Sequence, residues 1–292
     1  MTPFELATPR SLREAIDLLD PQDPGVRPVG GATALMLMMK AGVLQPRRLV
    51  SLRAVERRYS RIEIGPDGRL YIGALAPLAE IERSPLVRSD WPVLSRTLLT
   101  LSNVRVRNVA TIGGHLAHAD PHLDLPPLLS ALGAQVSIVG RSSERTIPVA
   151  QLATGYYQTV LRNDELIAEV IVPPQRGRAA AYLKCTTRSA DDWPALGVAV
   201  VLKTEDSFVH EASVVVGAAT DVPTRLRAAE SVLSGAKIED AILRKAGEAA
   251  ADELAVVGDS HGSAAYKKHL LRVYLGRATR CALDASRTGT LG

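Results

Sequence analysis

Between Asn108 and Pro127 the chain reads Asn-Val-Ala-Thr-Ile-Gly-Gly-His-Leu-Ala-His-Ala-Asp-Pro-His-Leu-Asp-Leu-Pro-Pro. No other stretch limits so strongly what the chain can become. Gly113 and Gly114 let the backbone turn tightly and come close to a ligand, because no Cβ stands in the way. Thr111 before the pair, and Asp120 and Asp124 after it, supply hydroxyl and carboxylate groups suited to a sugar or polyol. Pro126 and Pro127 then break the chain ahead of the apolar run Leu128 to Leu132. One glycine pair alone is most often a plain turn. Here a second stretch, Val29-Gly30-Gly31-Ala32-Thr33-Ala34, also follows a short apolar lead-in and precedes a helix-like run. Two such loops can offer successive backbone N–H groups to a pyrophosphate without any lysine.

Composition excludes several alternatives. A chain of 292 residues with 46% hydrophobic and 23% charged residues suits a globular protein of two domains. Net charge is only +4, and the local cluster Arg53, Arg57, Arg58 and Arg61 contains Glu56, so a solvated surface is expected and no nucleic-acid partner. The two cysteines, Cys185 and Cys281, are too few to hold an iron–sulfur cluster, which takes four protein ligands. No basic-then-apolar leader opens the sequence, and no apolar run approaches the ~20 residues of a membrane span. A cytoplasmic protein is expected.

Periodicity outlines the chain. Ser11-Leu-Arg-Glu14 is a capping box ahead of a helix through Leu12, Ala15, Ile16 and Leu19. Residues 34–41, rich in methionine, read as a helix packed as core under the first glycine loop. Leu49–Leu52 and Leu70–Ile72 read as strands, Leu78–Arg83 and Val93–Leu101 as helices, and Gln135–Val139 and Leu166–Val172 as strands. Pro173-Pro174 with Gln175 to Arg178 is the best candidate linker. Beyond it come strands at Ala180–Lys184, Gly197–Leu202 and Ala212–Val216, with a hairpin turn near Glu205-Asp206-Ser207. Helices follow at Leu226–Leu233, Ile238–Leu254 and Ser263–Ala282. Strands followed by helices indicate an α+β unit.

His115, His118 and His122 lie among Asp120 and Asp124 and invite a metal reading. In a loop with prolines they lack the rigid frame that a metal site needs, and no metal is expected. No Gly-x-Ser-x-Gly elbow or P-loop lysine is present, so the chemistry is expected to reside in a bound cofactor.

The two glycine stretches, with Asp124-Leu-Pro-Pro127, Thr154-Gly-Tyr156, Glu165 to Val170, Lys184, Gly217-Ala218, Pro223-Thr-Arg225 and Ala264-Ala-Tyr266 in order, resemble the FAD-binding medium subunit of molybdenum hydroxylases, the xanthine dehydrogenase and carbon monoxide dehydrogenase flavoprotein family. The resemblance covers nearly the whole chain. It implies an α+β fold: a two-lobed α/β, PCMH-like FAD-binding domain over residues 1–175, with lobes of about 1–56 and 57–175. A C-terminal domain of a three-stranded antiparallel sheet with a helix bundle would occupy 178–285, and 286–292 would be a flexible tail.

By the same resemblance one FAD is held non-covalently. Val29, Gly30, Gly31, Ala32, Thr33, Ala34 and Leu35, together with Thr111, Gly113 and Gly114, would cradle its pyrophosphate, with His115 at a commonly polar position and Asp120 nearby. Asp124 would reach the ribityl or ribose hydroxyls, Ile167 would lie by the flavin ring, and Lys184 would reach its pyrimidine end. Asp191, Asp192 and Trp193 match a loop that passes near the ring. From the residues alone Lys184 reads first as a surface lysine, and Trp193 reads equally as a core tryptophan. Ala32 replaces a common Thr or His, leaving Thr33 to supply the hydroxyl, and Leu101 stands where some relatives stack an aromatic. The implied partners are a large subunit with the molybdenum cofactor and a small subunit with [2Fe–2S] clusters, as a dimer of heterotrimers. Electrons would enter from a cluster and leave to an external acceptor. A self-sufficient FAD oxidase, or a nucleotide-binding scaffold subunit without redox duty, are the alternatives.

Overall fold

The first apolar segments pair as parallel strands, because each is followed by a helix that returns the chain to the same edge. In the computed structural model, which describes residues 2–205 and 208–288, β1 (Glu5–Ala7), α1 (Leu12–Leu18), β2 (Val26–Val29), α2 (Thr33–Lys40) and β3 (Arg48–Ser51) form a small lobe with strand order β1-β3-β2. The Ser11 hydroxyl caps α1, accepting the Glu14 N–H at 3.1 Å. The returning half of the capping box is shifted: the Glu14 carboxylate accepts the Arg10 N–H at 2.8 Å. α2 is not the core filler expected. Only Met39 is buried, and Leu37 is 66% exposed. A three-stranded sheet of short strands covers one side of such a helix and leaves the other bare.

The second lobe comprises β4 (Ile62–Ile64), β5 (Leu70–Gly73), α3 (Leu78–Arg83), α4 (Pro85–Asp90), α5 (Pro92–Thr100), α6 (Val104–Arg107), α7 (Ile112–His118), α8 (Leu125–Ala131), β6 (Gln135–Val139), β7 (Glu144–Pro148), the hairpin β8 (Ala153–Gly155) and β9 (Gln158–Thr159), and β10 (Leu166–Val172). Five strands form an antiparallel sheet in the order β4-β5-β10-β6-β7. β10 is central and buried on both faces, which explains its unbroken apolar run. Ile167, Val170 and Val172 join the main core with Leu94, Leu98 and Leu128. Leu166 and Ala168 pack with Leu12, Ile16 and Val50 of the first lobe.

The remaining elements are β11 (Arg178–Thr186), β12 (Pro194–Glu205), β13 (Phe208–Gly217), β14 (Thr224–Arg225), α9 (Arg227–Leu233), α10 (Asp240–Glu253) and α11 (Ala264–Thr288). The antiparallel sheet has a fourth, two-residue strand, β14, beyond the three expected; it pairs with Val215 and Val216 at the edge. Of the expected hairpin turn, Asp206 and Ser207 lie outside the described residues. α11 runs six residues past Ala282, so 286–288 are helical where a flexible tail was expected, and 289–292 lie outside the described residues. One face of the sheet packs on α9, α10 and α11 through Val198, Val200, Leu271 and Leu275. The other face brings Ala199, Val201 and Val215 into the main core of the second lobe. The candidate linker is tied down as well: the Pro173 carbonyl accepts from the Trp91 indole and the Gln175 amide, both at 2.8 Å. Among the described residues no helix is long and apolar enough to cross a membrane.

Candidate functional site

The two glycine loops interlock. A Cβ on Gly31 would lie 2.1 Å from the Val109 carbonyl oxygen and 2.7 Å from the Ala110 Cα, so only glycine fits there. A Cβ on Gly30 would meet the Thr111 hydroxyl at 2.8 Å. Val29 is buried, and its carbonyl accepts the Leu52 N–H at 2.9 Å, fixing the end of β2. The chain then turns through Ala32, whose φ of 62° is left-handed, into α2 without a side-chain cap. As a result the backbone N–H groups of Gly30, Gly31, Ala32, Thr33 and Ala34 donate to no group among the described residues. Leu35, one residue on, packs against Val29 and Met39. Successive unpaired N–H groups around a left-handed residue at a helix start are of the kind that can bind an anion.

The second loop has its donors paired within the fold. The Ile112 N–H donates to Ala76 at 3.1 Å, the Gly113 N–H to Ala74 at 2.8 Å, and the Gly114 N–H to the Thr111 hydroxyl at 3.2 Å. These donors are satisfied within the fold. Gly113 is a packing glycine, whose Cβ would fall 2.6 Å from that of Ala74. Gly114 is exposed, and its Cβ would meet only the Thr111 hydroxyl, at 3.0 Å. Gly114 thus leaves a bare backbone edge at the surface. His115 and His118 stand on α7, not in a loop, because Thr111 caps a helix whose Ile112 and Leu116 enter the core. The Nε2 of His115 is buried without a partner, and burial lowers its pKa to about 3, so the ring is neutral.

Beyond α7, about 10 Å long at 1.5 Å per residue, the acidic residues are engaged by the protein. Asp120 accepts from the Tyr157 hydroxyl at 2.7 Å through one oxygen, and faces His122 Nδ1 at 3.0 Å through the other. Both of its carboxylate oxygens thus have partners within the protein. Asp124 accepts from the Tyr182 hydroxyl at 2.7 Å and forms an ion pair with Lys184 at 2.9 Å, both side chains 6% exposed. Burial raises the Asp124 carboxyl, against the pull of the Lys184 ammonium and the two hydrogen bonds. Lys184 is therefore not a surface lysine. Its other two protons go to the carbonyls of Thr100 at 2.9 Å and Asp192 at 3.0 Å.

Trp193 is 48% exposed, which removes the core reading, and its ring stacks on His122 with centroids 5.9 Å apart. The Asp192 side chain accepts the Trp193 N–H at 2.9 Å. Ile167 is buried in the main core, and so is Leu101, at 5% exposure; the latter faces the interior. Sequence reasoning missed Tyr182 and Asp259. Tyr182 had a signal, since it sits two residues before Lys184 on the same face of β11. Asp259 had none, because it reaches His122 Nε2 at 2.8 Å from a distant loop.

Residues 2–175 match the family model described as the FAD binding domain in molybdopterin dehydrogenase, and residues 181–282 match the CO dehydrogenase flavoprotein C-terminal domain. The chain belongs to this FAD-binding family. Among its relatives, the nicotine 6-hydroxylase medium subunit of Paenarthrobacter nicotinovorans is 32% identical over 93% of this chain and 94% of its own length. The glyceraldehyde dehydrogenase medium chain of Sulfolobus acidocaldarius is 27% identical, over 94% of this chain and 96% of its own length. In the structure of carbon monoxide dehydrogenase from Hydrogenophaga pseudoflava, one chain superimposes with a TM-score of 0.92 at 29% identity, covering 97% of this chain and 99% of that one. As a member of the family the chain is an oxidoreductase subunit with an FAD-binding domain, and its fold is that of a carbon monoxide dehydrogenase medium subunit.

Proposed function

We propose that this chain carries one non-covalent FAD as the electron-transfer subunit of a heterotrimeric molybdenum hydroxylase in the cytoplasm. It would take electrons from a small [2Fe–2S] subunit and pass them to an external acceptor, while a large molybdenum-cofactor subunit oxidises the substrate; two heterotrimers would pair. Residues 1–175 would form the FAD-binding domain and 178–285 the C-terminal domain. The observation that carries this reading is the row of unpartnered N–H groups from Gly30 to Ala34 beside the exposed edge at Gly114. It is a cradle for a dinucleotide diphosphate that requires no cation. The bare side of α2, with Leu37 66% exposed, and Val43 just beyond it at 73%, supports contact with a partner subunit.

The flavin, when bound, supplies the ability to accept a pair of electrons and release them. The protein's own groups hold and shade it. The Gly30–Ala34 donors neutralise diphosphate charge, and the Thr33 hydroxyl stands beside them. The Asp124–Lys184 pair, with Tyr182, forms a fixed dipole where polar groups of the ring or ribityl chain are expected. Trp193, exposed and stacked on His122, would limit what can approach the ring.

Acid or mild denaturant release, followed by identification of the flavin, tests the reading: one FAD per chain is expected, and FMN, a covalent flavin or none would overturn it. The isolated chain should not oxidise N-heterocycles, aldehydes or carbon monoxide; robust turnover by it alone would favour a self-sufficient oxidase.

A further inference from the structure

His122 lies between two carboxylates that belong to different parts of the chain. Its Nδ1 faces Asp120 at 3.0 Å and its Nε2 faces Asp259 at 2.8 Å. A neutral imidazole has one N–H and one lone pair, and a lone pair turned on a carboxylate oxygen at that distance is repulsive. Both contacts are favourable only when both ring nitrogens carry protons. The chain of contacts continues on either side. Asp120 accepts from the Tyr157 hydroxyl, and His118 stands 4.0 Å from the same carboxylate. Asp259 pairs with Lys267, whose side chain is 1% exposed and also donates to the Ala218 carbonyl at 2.5 Å. His261 lies 4.8 Å from His122, centroid to centroid, and Trp193 stacks on it nearly parallel at 12°.

Alternating charges thus run from the second lobe into the C-terminal part: Asp120, His122, Asp259, Lys267. The backbone around this row is strained. Of the five left-handed non-glycine residues described, Ala119, Tyr157 and Ala218 lie here, with φ of 51°, 55° and 61°. Tyr157 N–H donates to Ala119 and Ala218 N–H to Pro121, at 3.1 and 2.9 Å, so the strained residues hold the row in place. Left-handed non-glycine residues persist where the surroundings over-determine them, and they concentrate at functional positions.

We propose that His122 is a protonation-dependent positioning residue: as imidazolium it clamps the C-terminal part onto the second lobe and sets the orientation of Trp193. The proposal does not rest on the flavin assignment. Its consequence does reach the candidate site, because the loop that carries Trp193 also carries the Asp192 carbonyl bound by Lys184. When the ring loses its proton, one carboxylate faces a lone pair, the stack on Trp193 loses its cationic partner, and the clamp loosens. Burial opposes the charge on His122, but the hydrogen bonds to Asp120 and Asp259 outweigh it and raise its pKa above the ordinary value. Clamping is therefore complete below the pKa of an unfolded histidine, and is lost as pH rises through the higher folded value.

The test uses the full chain between pH 5 and 9. Histidine Cε1–H NMR resonances are titrated, and Trp193 emission is followed as the difference between wild type and Trp193→Phe, which removes the contribution of Trp91. The resonance absent in His122→Gln is expected to titrate with a midpoint above ~6.5, and Trp193 emission to follow that same midpoint. Asp259→Asn should move both midpoints down together, and it provides the comparison if His122→Gln does not fold. His261→Gln should leave both in place. A midpoint at or below the ordinary value, an emission that does not titrate, or a titration abolished by His261→Gln would overturn the proposal.

Discussion

The Asp124–Lys184 pair is nearly excluded from water, so neither partner can be removed without consequence for the other. Lys184→Met leaves a buried carboxylate without its counter-charge and is expected to cost about 3 kcal/mol. Adding Asp124→Asn should recover most of that, as urea unfolding of the single and double variants would show. The same pair sets what Lys184 can do to a bound flavin. A lysine already neutralised acts as half of a dipole, so the single variant should lower the flavin potential by tens of millivolts (~30 mV corresponds to ~1.4 kcal/mol in a two-electron couple), and the double variant by less. A redox titration checks both. The glycines separate in a similar way. Gly31→Ala places a Cβ against backbone at 2.1 Å and should destabilise the chain by at least 1–3 kcal/mol. Gly114→Val meets only the Thr111 hydroxyl and should fold, yet lose most of its FAD. Thermal melting beside flavin absorbance distinguishes the two.

At the scale of elements, the short turn between α5 and α6 is fixed from α6. Arg107 is buried, forms an ion pair with Glu82 at 2.8 Å, and donates to the Leu101 and Ser102 carbonyls at 3.2 and 2.5 Å. Ser102 is left-handed, with φ of 54°, and α6 carries the chain from this turn to the second glycine loop. Arg107→Met would strand the Glu82 carboxylate and release that turn. It should cost about 3–5 kcal/mol, read as a lower urea midpoint, with FAD occupancy falling at denaturant concentrations where the rest of the chain remains folded. α7 makes a related point about helices and loops. Two histidines, two glycines and a following proline look like loop composition, but Thr111 at the cap and two buried apolar residues suffice to wind the helix.

Across the whole molecule, the second lobe and the C-terminal part share one apolar core and one row of alternating charges. The acid side of that row is testable. Burial raises the Asp259 carboxyl, yet Lys267 and His122 outweigh it and lower it to about 2; Asp120 is lowered too, through His122 and Tyr157 against burial. A lowered carboxylate stabilises the fold above its unfolded pKa of ~3.9, and that contribution disappears as pH falls toward the folded value. Between about pH 5 and 2 the wild type should therefore lose about 1–2 kcal/mol more than Asp259→Asn. Urea midpoints measured across that range provide the check.

Local pattern was enough for much of this protein. Capping chemistry at Ser11, the alternation in Gln135–Val139, the unbroken apolar run of β10 and the two glycine pairs are short-range properties, and the elements they imply are present, with ends shifted by a few residues. The family resemblance, too, lay in ordered motifs along the chain. What the sequence could not decide was which partner each polar group finds. Whether a glycine N–H points at a ligand or at Ala74, whether Lys184 is wet or buried, whether Trp193 belongs to the core, and that Asp259 meets His122 across 137 residues of chain all depend on how distant segments close against one another. Hydrogen-bond partners within a strand or helix follow from neighbours in sequence; those at a site follow from packing of the core that brings its walls together. For that reason the loops were legible and their division of labour was not.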